Sequence, residues 1–385
     1  MNQSARLPGV DVLRAVAAML VVLHHIDIRF RINGYHVQPF LPAPLRTVLL
    51  NTGYFSVVCF FVISGFLITR LSLRRWDSLD QISPVTFYGL RASRILPCLL
   101  LVLAVLSVLH LMDVPSFVIP PTRGTLGRAL LAALGFHVNW YEGMHGYLPG
   151  NWDVMWSLSV EETFYLLFPL ACLTLRSPAA LFTGMLPLIV VGPLNRVWLD
   201  GIEPWDGYSY LSCMDGIAFG CFAGWLSERR PLGLAHARVA MTVGVTAVLL
   251  IIVFRKTAVA LGLVAVGANV TVLELGMALV LLAMGSGVGN MVFARGTSLL
   301  RAVGRCSYEV YLTHMFVVFG LFFPFRAIFG KQVPHAAIYP ATYALMLVLS
   351  VLLGYAVSRW FSEPANRALR ARFGERMRVR AVQYA

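Results

Sequence analysis

The sequence predicts an all-α integral membrane protein of about ten transmembrane helices, with both termini in the cytoplasm. Three observations carry this. Hydrophobic residues make up 58% of the 385 and charged residues only 13%, at a mean hydropathy of +0.74, whereas a soluble chain carries about 25% charged residues. Apolar runs of about 17–25 residues, each able to cross a bilayer as a helix, recur from end to end. With the N-terminus placed inside, 20 of the 31 Lys and Arg fall in inner loops and 10 in outer ones, while Arg14 lies within the first span. That two-to-one excess is the positive-inside bias. The net charge of +13 therefore reports orientation and gives no reason to expect a nucleic-acid partner.

The first span, about 10–28, contains LRAVAAMLVVLHHI (Leu13–Ile26). Met1–Pro8 is short and the apolar run has no small-residue cleavage site, so the segment reads as a retained helix and not as a cleaved signal. Arg14 and His25 are eleven residues apart. At about 100° per residue that is three turns plus about 20°, so both side chains share one face, about 16 Å apart along the axis. His24 points about 100° away. Ionisable groups at membrane depth are costly and are candidates for function. The plainer readings are a snorkelling positive-inside Arg14 and a packed or interfacial His24. A neutral imidazole in apolar surroundings can serve as a general base, and a hydroxyl hydrogen-bonded to it can attack a thioester carbonyl.

The second span, about 51–70, carries FFVISGFLITR, with Ser64 and Gly65 at its middle. There glycine permits close helix contact as readily as it lines a site. FYGLRASRILP leads into the third span, 97–112, and places Arg91 and Arg94 one turn apart at the inner surface. Two guanidiniums on one face can grip phosphates; plain anchoring at the membrane surface competes with that reading. The outer loop, about 113–157, is long and rich in Pro, Gly, Trp and Tyr, which predicts structure or function of its own. NWDVMWSLSVEETFYLLFP turns from that loop into the span 158–175 and carries Trp156, Glu161 and Glu162. Glu162 reads as a first-turn charge favoured by the helix dipole. Glu161 is a candidate partner for a histidine, although no spacing links it to His25.

Spans at about 179–196, 211–227 and 239–255 follow. The apolar run 257–287, with Gly262, Gly267 and Glu274, is too long for one span, so part of it is a candidate re-entrant piece beside 268–286. GRCSYEVYLTHMF opens the span 306–325 and stacks Tyr308 on Tyr311 and Tyr311 on His314; interfacial aromatics explain this equally well. In the span 338–358 and the segment RWFSEPANR, Pro364 marks the expected helix exit. Residues 1–360 thus form one membrane domain and 361–385 a basic cytoplasmic tail, lipid-facing or disordered. All six cysteines lie in or beside spans without any CxxC, which predicts buried thiols, no disulfide and no metal.

Taken together, these segments resemble the acyltransferase-3 family of polytopic bacterial membrane O-acyltransferases. Arg14…His25 matches its R-X10-H pattern, and FFVISGFLI, FYGLRASRILP, WSLSVEETFY, SYEVYLTH and SEPANR follow in the family's order across nearly the whole chain. The resemblance implies ten spans in the bacterial cytoplasmic membrane. It also implies transfer of an acyl group, usually acetyl, from acyl-CoA as co-substrate to a hydroxyl of an exported or lipid-linked glycan. It implies that His25 is the catalytic histidine and Glu161 the acidic residue of the WSL-x-x-E motif. Arg14, Arg91 and Arg94 are implied in donor binding or site integrity, with Ser64, Gly65, Trp156, Tyr308, Tyr311 and His314 as possible site lining. The sequence departs from the family at SVVCFF, where Val58 stands in place of a frequent Asp. It also carries no hydrolase-like domain after the membrane domain, so transfer is expected to be direct or completed by a partner. A small acceptor such as a macrolide fits the same chemistry. A secondary transporter is the alternative of another class, but it would call for paired interrupted helices in two halves, which the sequence lacks. A structural scaffold leaves the shared face of Arg14 and His25 unexplained.

Overall fold

The computed structural model describes residues 7–35, 41–330 and 337–371. Every regular element among them is helical. The long helices are α1 (Pro8–Ile32), α2 (Gly53–Trp76), α3 (Pro84–Leu111), α4 (Trp156–Leu175), α5 (Pro178–Trp198), α6 (Tyr210–Arg229), α7 (Leu234–Ile252), α8 (Ala268–Gly285), α9 (Ser307–Phe329) and α10 (Ile338–Val357). Nine of the described helices are long and apolar enough to cross a bilayer. The chain is a multi-pass membrane protein. α6 is the more polar exception: its 20 residues give the length, but Asp215 and Glu228 dilute its apolarity.

α6 tolerates that polarity because the bundle encloses it. Gly220 and Gly224 lie against the backbone of α2 at Val62 and Phe66, and Gly65 of α2 lies against the Ile217 carbonyl of α6. Small residues let the two backbones approach until side chains no longer separate them. Gly65 thus serves the α2–α6 contact, the plainer of its two sequence readings.

α1 runs beside α9 in the same direction. Gly304, in the short helix Ser298–Arg305 that leads into α9, abuts the Asp11 backbone of α1. Further along, the rings of His25 and His314 are 5.0 Å apart, and those of Phe30 and Phe322 5.3 Å. α3 and α4 are antiparallel, as Phe87 packs on Phe168 while Arg91 covers Tyr165.

Several boundaries differ from the sequence reading. α3 begins at Pro84, capped by the Ser83 hydroxyl, so Arg91 and Arg94 lie inside the helix and not ahead of it. α4 begins at Trp156, which leaves Glu162 nearly two turns in and buried at 9% exposure, far from a solvated first-turn charge. The run 257–287 resolves into the short helix Arg255–Ala260, a turn, and α8. Gly262 (φ 72°) and Gly267 (φ 63°) supply the left-handed backbone of that turn. Pro364 does not end the last helix, which continues to residue 371. A π-helical turn over Ser358–Ser362 precedes it and relieves the clash of the proline ring with the carbonyl four residues back. The rest of the basic tail, 372–385, lies outside the described residues.

The segment between α3 and α4 has its own structure, the short helices Leu126–Leu134, Val138–His145 and Gly150–Asp153, around the fully buried Trp152. It covers the end of the bundle opposite the start of α1. All six cysteines are buried free thiols.

Candidate active site

α1 is unbroken from Arg14 to His25, so the two side chains keep the shared face that the spacing predicts. His24 turns away, with its Nδ1 2.6 Å from the Leu50 carbonyl and its ring against Gly53. His25 Nδ1 lies 3.1 Å from the Val21 carbonyl and 3.1 Å from His314 Nε2. His314 is fully buried, whereas His25 is half-buried and retains accessible surface.

The carbonyls fix the tautomers of the neutral pair. The Tyr311 carbonyl, 2.6 Å from His314 Nδ1, can only accept, so that nitrogen carries the proton. His314 Nε2 is then an acceptor, and His25 Nδ1–H donates to it and to the Val21 carbonyl. This leaves the lone pair of His25 on Nε2, with a third group orienting the base. The partner of His25 is therefore His314. Glu161 lies elsewhere, facing Arg91 and Arg14 with the Ser64 hydroxyl in hydrogen-bond reach. Ser64 also bonds the Tyr165 hydroxyl, and Arg91 lies 3.8 Å over the Tyr165 ring.

Arg14 sits among Arg94, Asp11, Glu309 and Glu161. Arg94 grips Glu309 with both guanidinium nitrogens, at 2.5 and 3.2 Å. Tyr308 donates to the Ile95 carbonyl at 3.0 Å beside that pair. One layer of the bundle thus holds Arg14, Arg91, Arg94, Glu161, Ser64 and Tyr308, on the α1-start side of His25. Glu309 and Tyr165 were not picked out from the sequence. Glu309 is the residue after Tyr308 in SYEVYLTH, but nothing local distinguishes it from a first-turn carboxylate.

One turn before His314, Tyr311 donates to the Val154 carbonyl at 2.9 Å and accepts from Ser157 at 2.7 Å. Trp156 is buried and stacked on Tyr208 at 4.1 Å. Tyr208 in turn donates to Asp153 at 2.9 Å. Burial, and next to it the Asp153 carboxylate, hold the Glu142 carboxyl well above the usual carboxylate range. The Leu148 N–H donates to the buried Glu142 at 3.0 Å. Aromatic faces beside a carboxylate thus line this end, while arginines line the other.

Gly65 and Val58 are held by packing between helices. Gly65 faces α6, and Val58, at 1% exposure, belongs to the apolar cluster of α1, α2 and α8. Among the described residues no group of three or more His, Cys, Asp or Glu is placed to hold a metal ion.

A family model described as an acyltransferase domain matches residues 7–359. The chain is similar to the O-acetyltransferase OatA of Staphylococcus aureus strain NCTC 8325 / PS 47, at 30% identity over 175 residues, which are 43% of this chain and 24% of that protein. It is also similar to a putative O-acetyltransferase of Staphylococcus aureus strain COL, at 28% identity over 177 residues, 44% of this chain and 25% of the relative. The matched stretch thus spans about a quarter of the length of these relatives. No solved structure matches the chain.

Proposed function

The chain belongs to the acyltransferase-3 family, and on that premise we propose that it is a membrane O-acyltransferase. It moves an acyl group, acetyl in the first instance, from acyl-CoA to a hydroxyl of a carbohydrate such as an exported polysaccharide or a lipid-linked sugar. It does so in the bacterial cytoplasmic membrane with its N-terminus inside. The observation that carries the reading is the free Nε2 of an accessible His25 whose Nδ1–H is held by buried His314.

In this mechanism His25 Nε2 takes the proton of the acceptor hydroxyl as its oxygen attacks the thioester carbonyl. The imidazolium that forms keeps its Nδ1–H bond to His314. The tetrahedral intermediate collapses, the C–S bond breaks, and His25 returns the proton to the departing CoA sulfur. An ester and free CoA result, and the base is restored. Arg14, Arg91 and Arg94 lie on the side where the donor's phosphates would enter. Arg14 and His25 are about 16 Å apart along the helix, within reach of an extended pantetheine arm. On the other side, Tyr208 keeps accessible surface beside Asp153, where a sugar ring would lie.

The test is acyl transfer from labelled acetyl-CoA in membranes, with mass spectrometry of envelope glycans to find the acceptor. His25→Ala removes transfer by about 10²–10⁴-fold while the protein still accumulates in the membrane. His314→Ala lowers the rate through the orientation of His25 and leaves donor binding unchanged. Normal transfer by the His25 variant would sink the mechanism.

A further inference from the structure

The α1-start end of the bundle holds more positive charge than the layer around Glu161 and Glu309 can balance. At the end of α2, Arg75 lies 5.6 Å over the Trp76 ring, and Trp76 packs on Phe87 of α3 at 6.5 Å. Arg75, Trp76, Arg74, Gln81 and Glu228 help to line a cavity of about 630 Å³. Phe87 and Arg91 are one turn apart on α3, so Trp76 packs on the face of α3 that presents Arg91.

The helical extension beyond α10 follows a π-turn that packs on α3. Arg370 is half-buried there and its Nε has no hydrogen-bond partner. The charges nearest to it are those of Arg75, Arg94 and Arg91, with no carboxylate among them. Arg94 is paired with Glu309, Glu228 is taken by Arg70 and Arg74, and Asp77, the other acid that lines the cavity, lies 3.8 Å from Arg229. Among the described residues neither Arg75 nor Arg370 forms an ion pair. Guanidiniums gathered without acids repel one another, and a polyanion relieves that repulsion through bidentate contacts.

A cavity lined by a partly exposed tryptophan beside such a cluster fits a phosphorylated nucleotide. We infer that Trp76, Arg75 and Arg370 form the nucleotide subsite of the acyl donor, an inference that rests on the reading of that donor as acyl-CoA. The adenine lies against Trp76. The 3′-phosphate on the adjoining ribose falls to Arg75 and Arg370. The diphosphate, nearer the reacting end, falls to Arg91. An anionic lipid headgroup offers the same phosphate chemistry, and the lipid composition of the test separates the two.

The experiment is equilibrium binding of CoA, dephospho-CoA and adenosine 3′,5′-bisphosphate to the full chain in nanodiscs of purely zwitterionic lipid. Arg370→Ala and Arg75→Ala weaken CoA and the bisphosphate by about 10- to 100-fold, the effect of losing a charged hydrogen bond. Both leave dephospho-CoA within about twofold of the parent protein. Arg370→Lys, which keeps the charge but loses the bidentate fork, falls between Arg370→Ala and the parent for CoA and the bisphosphate and guards against a folding artefact. Trp76→Ala weakens all three ligands. If CoA binding is unchanged by Arg370→Ala and Arg75→Ala but lost with Arg91→Ala, the subsite is wrong and the donor reading stands. If the parent protein binds no CoA, the donor reading fails first. If the variants differ from the parent only when anionic lipid is added, the cluster is a headgroup site and the inference is overturned.

Discussion

Glu309 is a fully buried carboxylate near the start of α9, and both its oxygens are held by the half-buried Arg94. Such a pair contributes little net stability when intact, yet breaking it strands a charge away from water. Arg94→Ala is therefore expected to cost about 3–5 kcal/mol of stability, read as a lower unfolding temperature in detergent. Glu309→Gln costs less, because the guanidinium left behind keeps some accessible surface. An Arg94→Ala protein as stable as its parent, with only weaker donor binding, would make Arg94 a ligand residue and not a structural one. The sequence shows Arg94 and hides Glu309 for one reason. Helical spacing resolves which residues share a face of one helix, but these two are 215 positions apart and only the packing joins them. The same limit explains why Glu161 was weighed as a partner for His25. His314 is 289 positions away and no local pattern points to it.

Whole elements were far more legible, because hydrophobic length is a property of one segment at a time. All ten long helices were read, nine of them apolar enough to span a membrane, and the errors fall at boundaries where another force intervenes: the Ser83 cap, the glycines at 262 and 267, and the π-turn ahead of Pro364. α6 shows the converse. Its polarity weakens the apolar signal, and its place comes from the glycine contacts with α2. Gly65→Ala tests that packing directly, since an added Cβ would meet the Ile217 carbonyl oxygen inside van der Waals contact. Backbone cannot swing aside as a side chain can, so the expected loss is about 1–3 kcal/mol or more, visible as reduced thermal stability. Ser64→Ala, one residue away, leaves that contact intact. A Gly65→Ala protein of parental stability would mean that α2 and α6 are less closely joined than described.

At the scale of the molecule, the site is a stack of layers along α1: arginines at its start, the histidine pair beyond them, and aromatic faces beside Asp153 at the far end. Charge thus gathers at one end and rings at the other, an arrangement that composition alone could not reveal. The alignment of α1 with α9 has a further consequence, in the order in which a ribosome delivers the chain. His25 precedes His314 by 289 positions, so it reaches the membrane before its partner. Until α9 arrives, His25 lacks the contact that orients it, and on the proposed mechanism a half-made protein is inert. A chain stopped at Thr297 is expected to insert yet transfer nothing, and supplying residues 298–385 as a separate polypeptide should restore activity. Acyl transfer by the truncated chain alone would show that His25 needs no partner. Delivered in this order, the enzyme holds no oriented base while its chain is still being made.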